Sequence, residues 1–210
     1  MKNSNLKIVG LGPGNLDFLT GAGVKAILES EVIIGGKRQI EEIESLLLNQ
    51  EKFYLKKLDE MKEFVRKNLD KKITFIVSGD TGYYSLLTYL KKSFEEISFH
   101  VIPGISSFQY LFSRIEMTWE HYSLHSVHGR DFDYVGALEK SKSGVVLLTD
   151  GENNPISISK NLLEKGIENV EVIVGERLSY PDECITRFEV KNYKNYEKMY
   201  MMNVTILRKI

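Results

Sequence analysis

Residues 7–15 have the sequence KIVGLGPGN, a short apolar run that passes directly into a glycine-rich turn. A nearly continuous apolar run of this length is typical of a strand that is covered on both faces. Similar runs follow at residues 32–34, 73–78, 98–102, 145–149 and 170–175. Segments with apolar residues at helical spacing lie between them. This alternation of strands and helices predicts an α/β fold, with a mainly parallel sheet in the first half of the chain.

The pattern changes after about Trp119. Residues 122–128 alternate more strictly between apolar and polar side chains, and two strand-like runs at 184–190 and 203–207 have no strong helix between them. We therefore expect antiparallel strands in a second, mixed sheet. Because the apolar periodicity lapses around residues 112–119, we predict an amino-terminal α/β domain, 1–113, and a carboxy-terminal α/β domain, 114–210.

Composition excludes several classes of protein. The 210 residues are 42% hydrophobic and 27% charged, as in ordinary globular proteins, with a formal net charge of -1. We therefore expect no nucleic-acid partner, and local basic groups for any anionic ligand. Cys184 is the only cysteine, which excludes an intrachain disulfide and favours a reducing cytoplasm. There is no signal-peptide pattern and no run of ~18 apolar residues, so we predict a soluble, cytoplasmic protein without membrane contact.

The turn after the first strand resembles a dinucleotide-binding fingerprint but does not match it. The pattern G-x-G-x-x-G requires glycine where this chain has Asn15, and Pro13 removes an N–H from the loop. Thr20 is expected to cap the next helix. The loop exposes backbone without side chains, so a flat ligand can approach it closely. The alternative is a plain tight turn that leaves a strand.

Two more polar turns follow strands, where α/β proteins place their ligands. Residues 78–85 are SGDTGYYS, in which Asp80 can contact a polar or cationic ligand and Tyr83 can lay its ring against it. The alternative for Asp80 is a cap for a helix over residues 83–91. Residues 103–107 are PGISS, and their two serines can cap a helix or bind a ligand. Three such turns on three strands predict one shared pocket at the strand ends.

Together, residues 10–14, 78–80 and 103–107 resemble the signature of the tetrapyrrole methyltransferase family, and the resemblance extends from about residue 7 to residue 207. The branch that it is similar to methylates carbon C5 of cobalt-precorrin-7. Thr81 departs from the proline that the family usually has there, which loosens the turn without removing a ligand group. The motifs that point to this branch are GGKR at 35–38, HGR at 128–130, LTDG at 148–151 and GERLSYPDE at 175–183.

The resemblance implies the tetrapyrrole methylase fold, with two α/β domains, an active site in the cleft between them, and a homodimer. It also implies S-adenosylmethionine as cofactor, held largely by main chain. Carried over by position, the cofactor contacts fall on Pro13, Gly79, Asp80, Tyr83, Ser106 and Ser107, with Thr149 and Leu178 added from the second domain.

The implied reaction transfers an activated methyl group to an enamine-like carbon of a reduced tetrapyrrole in cobalamin biosynthesis. Such a reaction needs positioning above all, so we assign no catalytic residue. The substrate carries many carboxylates, which arginine pairs bidentately. Arg38, His128 and Arg130 are therefore the candidate substrate-binding residues, whereas Lys37 is expected to be a surface charge.

Three histidines, His121, His125 and His128, invite a metal site. On a helix they would share a face, whereas on a strand His128 would lie opposite His125. The alternating pattern of residues 122–128 favours a strand, and no carboxylate or cysteine supports the histidines. We predict no metal ligands, and any cobalt would arrive inside the substrate.

Other functions remain as alternatives. The alternative acceptors are another tetrapyrrole carbon, a protein and RNA, although the near-neutral charge disfavours RNA. A nucleotide-binding or nicotinamide-binding protein is the alternative from a different class. It is disfavoured by the failed fingerprint and by Gly35 and Gly36, where an acidic residue should hold the ribose. Relatives also occur fused to a methyltransferase that acts at C15 and decarboxylates. This chain is too short to include that unit, so we expect a separate protein to supply it.

Overall fold

A computed structural model of the chain describes residues 5–201 and 203–210. The chain divides into two compact units, Met1–Ser106 and Ser107–Ile210, and each contains one five-stranded sheet. The division lies just before the helix Ser107–Arg114, whose Phe112 stacks edge-on against Tyr122 of the second unit. The domain boundary between residues 113 and 114 stays a prediction.

The first unit is a parallel sheet with helical connections. Its strands are β1 (Leu6–Gly10), β2 (Val32–Gly35), β3 (Glu51–Tyr54), β4 (Ile73–Val77) and β5 (His100–Ile102). Its helices are α1 (Gly21–Leu28), α2 (Lys37–Glu42), α3 (Leu58–Lys67) and α4 (Leu87–Ser93), with short 3-10 turns at Leu16–Phe18 and Glu44–Leu46. The strand order is β3-β2-β4-β1-β5, and every neighbouring pair is parallel.

The apolar runs of this sheet are buried on both faces. Ile8 packs in one hydrophobic cluster with Phe75, whereas the next residue, Val9, packs in another with Ile76. Successive strand residues point to opposite faces, so a strand between two cores is apolar at most of its positions on both faces. This explains why β1, β2 and β4 have no alternating pattern, and it confirms the prediction of a parallel sheet in the first half.

The second unit has a mixed sheet. Its strands are β6 (Tyr122–Ser126), β7 (Gly144–Leu148), β8 (Val170–Glu176), β9 (Cys184–Glu189) and β10 (Asn203–Lys209). Its helices are α5 (Ser107–Arg114), α6 (Tyr134–Lys140) and α7 (Pro155–Glu164), with a 3-10 segment at Val190–Tyr196. The strand order is β6-β7-β10-β8-β9, in which only β6 and β7 are parallel. The expected antiparallel contribution is confirmed.

Some local predictions differ from the structure. The sequence pattern predicts no strand at β3, because β3 is a half-exposed edge strand without a continuous apolar run. The helix expected over residues 83–91 begins only at Leu87, because Tyr84 has a φ of 50° and interrupts the helical backbone. By contrast, the Thr20 hydroxyl accepts a hydrogen bond from the Gly23 N–H and caps α1 as expected.

None of the helices in the described part of the chain is long and apolar enough to cross a membrane.

Candidate active site

The three polar turns of the first unit meet at one edge of its sheet. Strand β1 lies between β4 and β5 and is parallel to both, so the carboxyl ends of these strands are neighbours. The turns also bond to each other directly. The Gly79 N–H donates to the Gly12 oxygen at 2.8 Å, and the Gly12 N–H donates to the Gly79 oxygen at 3.2 Å. The first two turns therefore form one main-chain unit.

Glycine is required where these turns touch. A Cβ atom on Gly10 would lie 2.5 Å from the Gly79 oxygen and 2.7 Å from the Gly104 nitrogen. A Cβ atom on Gly104 would lie 2.3 Å from the Gly79 oxygen and 2.6 Å from the Gly10 oxygen. These contacts are with backbone, which cannot swing away as a flexible side chain would. Gly10 and Gly104 therefore let three backbones, with that of Gly79, approach within a distance that a larger residue at either position would prevent.

Asp80 ties the second turn to the third. Its Oδ1 accepts from the Gly82 N–H at 2.7 Å, and its Oδ2 accepts from the Gly104 N–H at 3.3 Å. The alternative that Asp80 caps the following helix is wrong, because α4 has Leu86 at its N-cap and no side-chain capping bond. The carboxylate thus places a negative charge at the junction of the glycine turns.

The other predicted cofactor contacts of the first unit lie close to this junction in the sequence. Pro13 lies between Gly12 and Gly14, both of which have positive φ. Tyr83 packs edge-on against Tyr84 at 4.9 Å between ring centroids, and its burial raises the pKa of its hydroxyl.

The two serines of the third turn fall on either side of the division between the units. Ser106 is buried, at 3% exposure, and Ser107 is the first residue of α5.

Arg38, predicted to bind substrate, lies beside the second turn. Its Nη2 donates to the Ser78 Oγ at 2.7 Å, and its Nη1 pairs with Glu42. Gln39 donates to the same Ser78 Oγ at 3.0 Å. Arg38 therefore steadies the segment that leads into Gly79, while 43% of its side chain stays exposed. Lys37, as expected of a surface charge, is exposed.

Two motifs of the second unit, HGR at 128–130 and LTDG at 148–151, also meet, at the ends of β6 and β7. The His128 Nδ1 lies 3.0 Å from the Thr149 oxygen. A carbonyl oxygen only accepts, so the ring proton in this contact lies on Nδ1, and Nε2 is the ring nitrogen left for a ligand. The Gly129 N–H donates to Asp150 Oδ2 at 2.7 Å. Arg130 follows directly and is exposed, and its Nε donates to the His128 oxygen at 3.4 Å.

Asp150 organises this turn. Besides the Gly129 N–H, its carboxylate accepts from the N–H groups of Glu152 at 2.9 Å and Asn153 at 2.7 Å. These backbone hydrogen bonds, the Gly129 bond foremost, hold the pKa of Asp150 below its ordinary value. The Asn153 Nδ2 in turn donates to the Val127 oxygen at 3.1 Å. The turn that carries His128 and Arg130 is therefore fixed by one ionised side chain.

The two remaining predicted cofactor contacts, Thr149 and Leu178, are buried within the second unit. The Thr149 hydroxyl donates to the Asn203 oxygen at 3.0 Å and also contacts the Asn203 side chain, so a ligand would meet Thr149 through its main chain. Leu178 is 3% exposed and packs against Gly175. Their roles towards the donor stay predictions.

His125 and His128 lie in different surroundings. His125 stacks on Phe132 at 4.0 Å between ring centroids, and burial lowers its pKa, which favours the neutral ring. His128 lies past the end of β6, which stops at Ser126 rather than continuing to residue 128 as predicted. Within residues 5–201 and 203–210, His, Cys, Asp and Glu side chains form no group of three that suits a metal.

Several supporting residues escaped prediction from the sequence. Ser78 and Asp150 stood inside quoted motifs but carried no assigned role, because an Asp or Ser in a turn bonds to backbone in many unrelated loops. Gly10 and Gly104 had a usable signal, since Gly10 is the last residue of β1 and Gly104 follows β5 after a single proline. Gln39 had none.

Known proteins resemble this chain over most of its length. The model of the family Tetrapyrrole (Corrin/Porphyrin) Methylases matches residues 5–193. The chain is 30% identical over 205 residues to the "Probable cobalt-precorrin-7 C(5)-methyltransferase" of Methanocaldococcus jannaschii, covering 92% of this chain and 93% of that protein. It is 29% identical over 181 residues to the cobalt-precorrin-7 C(5)-methyltransferase of Salmonella typhimurium, covering 86% and 88%.

A solved structure shows the same fold. Uroporphyrin-III C-methyl transferase from Thermus thermophilus, complexed with S-adenyl homocysteine, matches with a TM-score of 0.78 at 20% identity, covering 96% of each chain. The predicted α/β fold, with a parallel and a mixed sheet, is confirmed.

Proposed function

This chain belongs to the tetrapyrrole (corrin/porphyrin) methylase family, and we propose that it transfers a methyl group from S-adenosylmethionine to C5 of cobalt-precorrin-7 in cobalamin biosynthesis. The structural observation that carries the chemistry is the meeting of Gly10, Gly79 and Gly104 beside Asp80. The choice of acceptor carbon comes from the names of the relatives that the chain resembles along most of its length.

The residues at the glycine junction fit such a donor. Without side chains at Gly10 and Gly104, a flat nucleoside can approach the main chain closely. The carboxylate of Asp80 supplies a negative charge near the junction, which suits a donor that carries a sulfonium charge. The proposed contacts of the first unit are Pro13, Gly79, Asp80, Tyr83 and Ser106, and those of the second unit are Ser107, the Thr149 main chain and Leu178.

When bound, S-adenosylmethionine supplies a methyl group that is already activated on sulfur. The chain's own residues have to hold the reactants in line and exclude water, and such positioning contributes about 7–11 kcal/mol in well-oriented systems. The acceptor carbon is enamine-like, so its own electrons drive the attack. We therefore assign no protein nucleophile and no catalytic residue.

The carboxylates of the tetrapyrrole need basic groups. We propose Arg130 and His128 for this role because both stand on the turn that Asp150 fixes, so less of their freedom is lost on binding. Arg38 is the corresponding candidate in the first unit, where its guanidinium is held beside Ser78.

The decisive experiment is anaerobic incubation with cobalt-precorrin-7 and a donor whose methyl carbon is isotopically labelled. NMR of the product should place the label at C5. Label at another carbon would replace the proposed acceptor while leaving the methyl transfer intact. Thermal-shift assays against S-adenosylhomocysteine and NAD(P) provide the control, since stabilisation by the nicotinamide alone would favour the alternative of a different class.

Three further expectations belong to this proposal. We expect a homodimer, which light scattering would detect as twice the chain mass of 24.1 kDa. We expect the protein in the cytoplasm. We also expect a separate methyltransferase that acts at C15 and decarboxylates, which activity assays on the coexpressed pathway would reveal.

A further inference from the structure

The loop that follows β8 has an uncommon backbone. Arg177 has a φ of 46° and Ser179 a φ of 69°, both in the left-handed region that residues other than glycine rarely adopt. Leu178 lies between them and is buried. Residues persist in this region only when the surrounding structure determines their conformation. The loop must therefore be held by specific contacts.

One of these contacts is apolar and packs the loop on α5. A Cβ atom on Gly175 would lie 2.8 Å from a methyl carbon of Leu178 and 2.9 Å from one of Leu111. Both leucines thus occupy the space that the bare Gly175 backbone leaves open. Since Leu111 belongs to α5, this packing brings Leu178 onto the helix.

The other contact is polar and centres on Glu183. Its Oε2 accepts from the Ser179 N–H at 2.7 Å, and its Oε1 accepts from the Arg114 Nε at 2.9 Å. The Tyr110 hydroxyl is also hydrogen-bonded to this carboxylate. The Glu183 side chain is only 15% exposed. Burial acts to raise the pKa of Glu183, but its hydrogen-bond donors outweigh burial and lower it, so the carboxylate is ionised at neutral pH.

The partners of Glu183 on α5 lie along one stripe of that helix. Ser107, Tyr110 and Arg114 are spaced three and four residues apart, so they share a face. The stripe begins at Ser107, the first residue of α5. On the loop side, Glu183 binds the N–H of Ser179, which directly follows Leu178. Glu183 thus links Ser179, the residue after Leu178, to the face of α5 that begins with Ser107. Leu178 and Ser107 are both candidate contacts of the methyl donor.

We propose that Glu183 is a positioning residue for the methyl donor, which sets Leu178 and Ser107 at a fixed separation by clamping the Arg177–Glu183 loop to α5. This inference rests on the proposed function, because it takes Leu178 and Ser107 as donor contacts. It adds a residue that does not itself touch the donor. Loss of the clamp raises the donor KM and leaves the tetrapyrrole KM unchanged.

The test compares Glu183→Gln with two other variants. Isothermal titration with S-adenosylhomocysteine should show Kd raised about tenfold in Glu183→Gln, because the neutral amide loses charge-assisted hydrogen bonds. Arg114→Ala removes a single partner and should raise Kd less. The matched control is Asp182→Asn on the same loop, whose carboxylate is 61% exposed and pairs only with Arg177 among the ion pairs of the described residues. An exposed pair contributes little, so its Kd should stay near that of the wild type.

Steady-state kinetics and circular dichroism complete the test. A rise confined to the donor KM, in a variant with wild-type circular dichroism, supports the clamp. An unchanged Kd in Glu183→Gln, or equal rises in the KM values of donor and tetrapyrrole, overturns it. If Glu183→Gln does not fold, Arg114→Ala decides by the same criteria. A wild-type protein that fails to bind S-adenosylhomocysteine overturns the proposed function itself, a result distinct from an unaffected Glu183→Gln.

Discussion

Both units use a carboxylate that accepts backbone N–H groups, as Asp80 does in the first unit, but the main support of the candidate site differs between them. In the first unit, the absence of a side chain at Gly10 and Gly104 lets their backbones meet that of Gly79. In the second unit, ionised carboxylates hold turns in place by accepting backbone N–H groups, as Asp150 and Glu183 do. The first arrangement is sensitive to any added atom, whereas the second is sensitive to the loss of a charge. Substitutions can therefore separate the roles of the two regions.

The largest effect is expected from Gly104→Ala. The new methyl group would lie 2.3 Å from the Gly79 oxygen, so the second and third turns must separate. Overpacking of this kind costs about 1–3 kcal/mol of folding free energy, and we expect binding of S-adenosylhomocysteine to fall below detection in titration calorimetry. The control is Gly21→Ala, where an added Cβ would meet no atom within 4 Å. Wild-type binding by Gly104→Ala would show that the junction does not hold the donor.

A smaller effect, on tetrapyrrole binding instead of cofactor binding, is expected from Asp150→Asn. An amide oxygen cannot replace a carboxylate that accepts three N–H groups, so the turn with His128 and Arg130 loosens. We expect the tetrapyrrole KM to rise about tenfold, which corresponds to a loss of about 1.4 kcal/mol of binding free energy, with the Kd of S-adenosylhomocysteine unchanged. The neighbouring, exposed Glu152→Gln is the control. Equal loss of donor and tetrapyrrole binding would mean that Asp150 supports the whole unit.

Substitution of Arg130 should also weaken tetrapyrrole binding. Its exposed guanidinium is the group that we expect to pair with a substrate carboxylate. Arg130→Ala should weaken tetrapyrrole binding, measured by fluorescence or absorbance titration, by about 1–3 kcal/mol while donor binding stays intact. Lys37→Ala, at an exposed charge of the first unit, should change neither. A parallel loss of donor binding in Arg130→Ala would indicate a structural role.

The smallest effect concerns the pH dependence of stability. The hydrogen bonds from Gly129 and Asn153 lower the pKa of Asp150 in the folded state. A carboxyl with a lowered pKa stabilises the fold above its unfolded pKa, about 3.9 for aspartate, and loses that contribution as pH falls through its folded value. Urea unfolding should therefore show wild type more stable than Asp150→Asn at neutral pH. The difference should shrink below about pH 4, and a constant difference down to pH 2.5 would exclude this linkage.

The sequence predicted the sheets better than the supports of the site, for a physical reason. Burial on both faces makes β1 and β4 apolar at all positions but Lys7 and Thr74, and that nearly continuous pattern is visible in a single sequence. The meeting of the glycine turns follows from parallel pairing, which strand–helix alternation predicts. Strand β3 is at an edge and half exposed, so it has no comparable pattern.

The supports of the site depend on partners that are distant along the chain. Glu183 meets Arg114 across 69 residues of sequence, and Gln39 meets Ser78 across 39. No spacing of residues along the sequence predicts such contacts. Asp80 was expected either to cap a helix or to meet a ligand, and only the three-dimensional structure shows that it binds the Gly104 N–H.

The most direct measurement is a crystal structure of the protein grown with S-adenosylhomocysteine. The nucleoside should lie against the main chain at Gly10, Gly79 and Gly104, with Asp80 beside it. Density for the ligand at any other place, with this junction free of it, would contradict the donor site on which every other assignment depends.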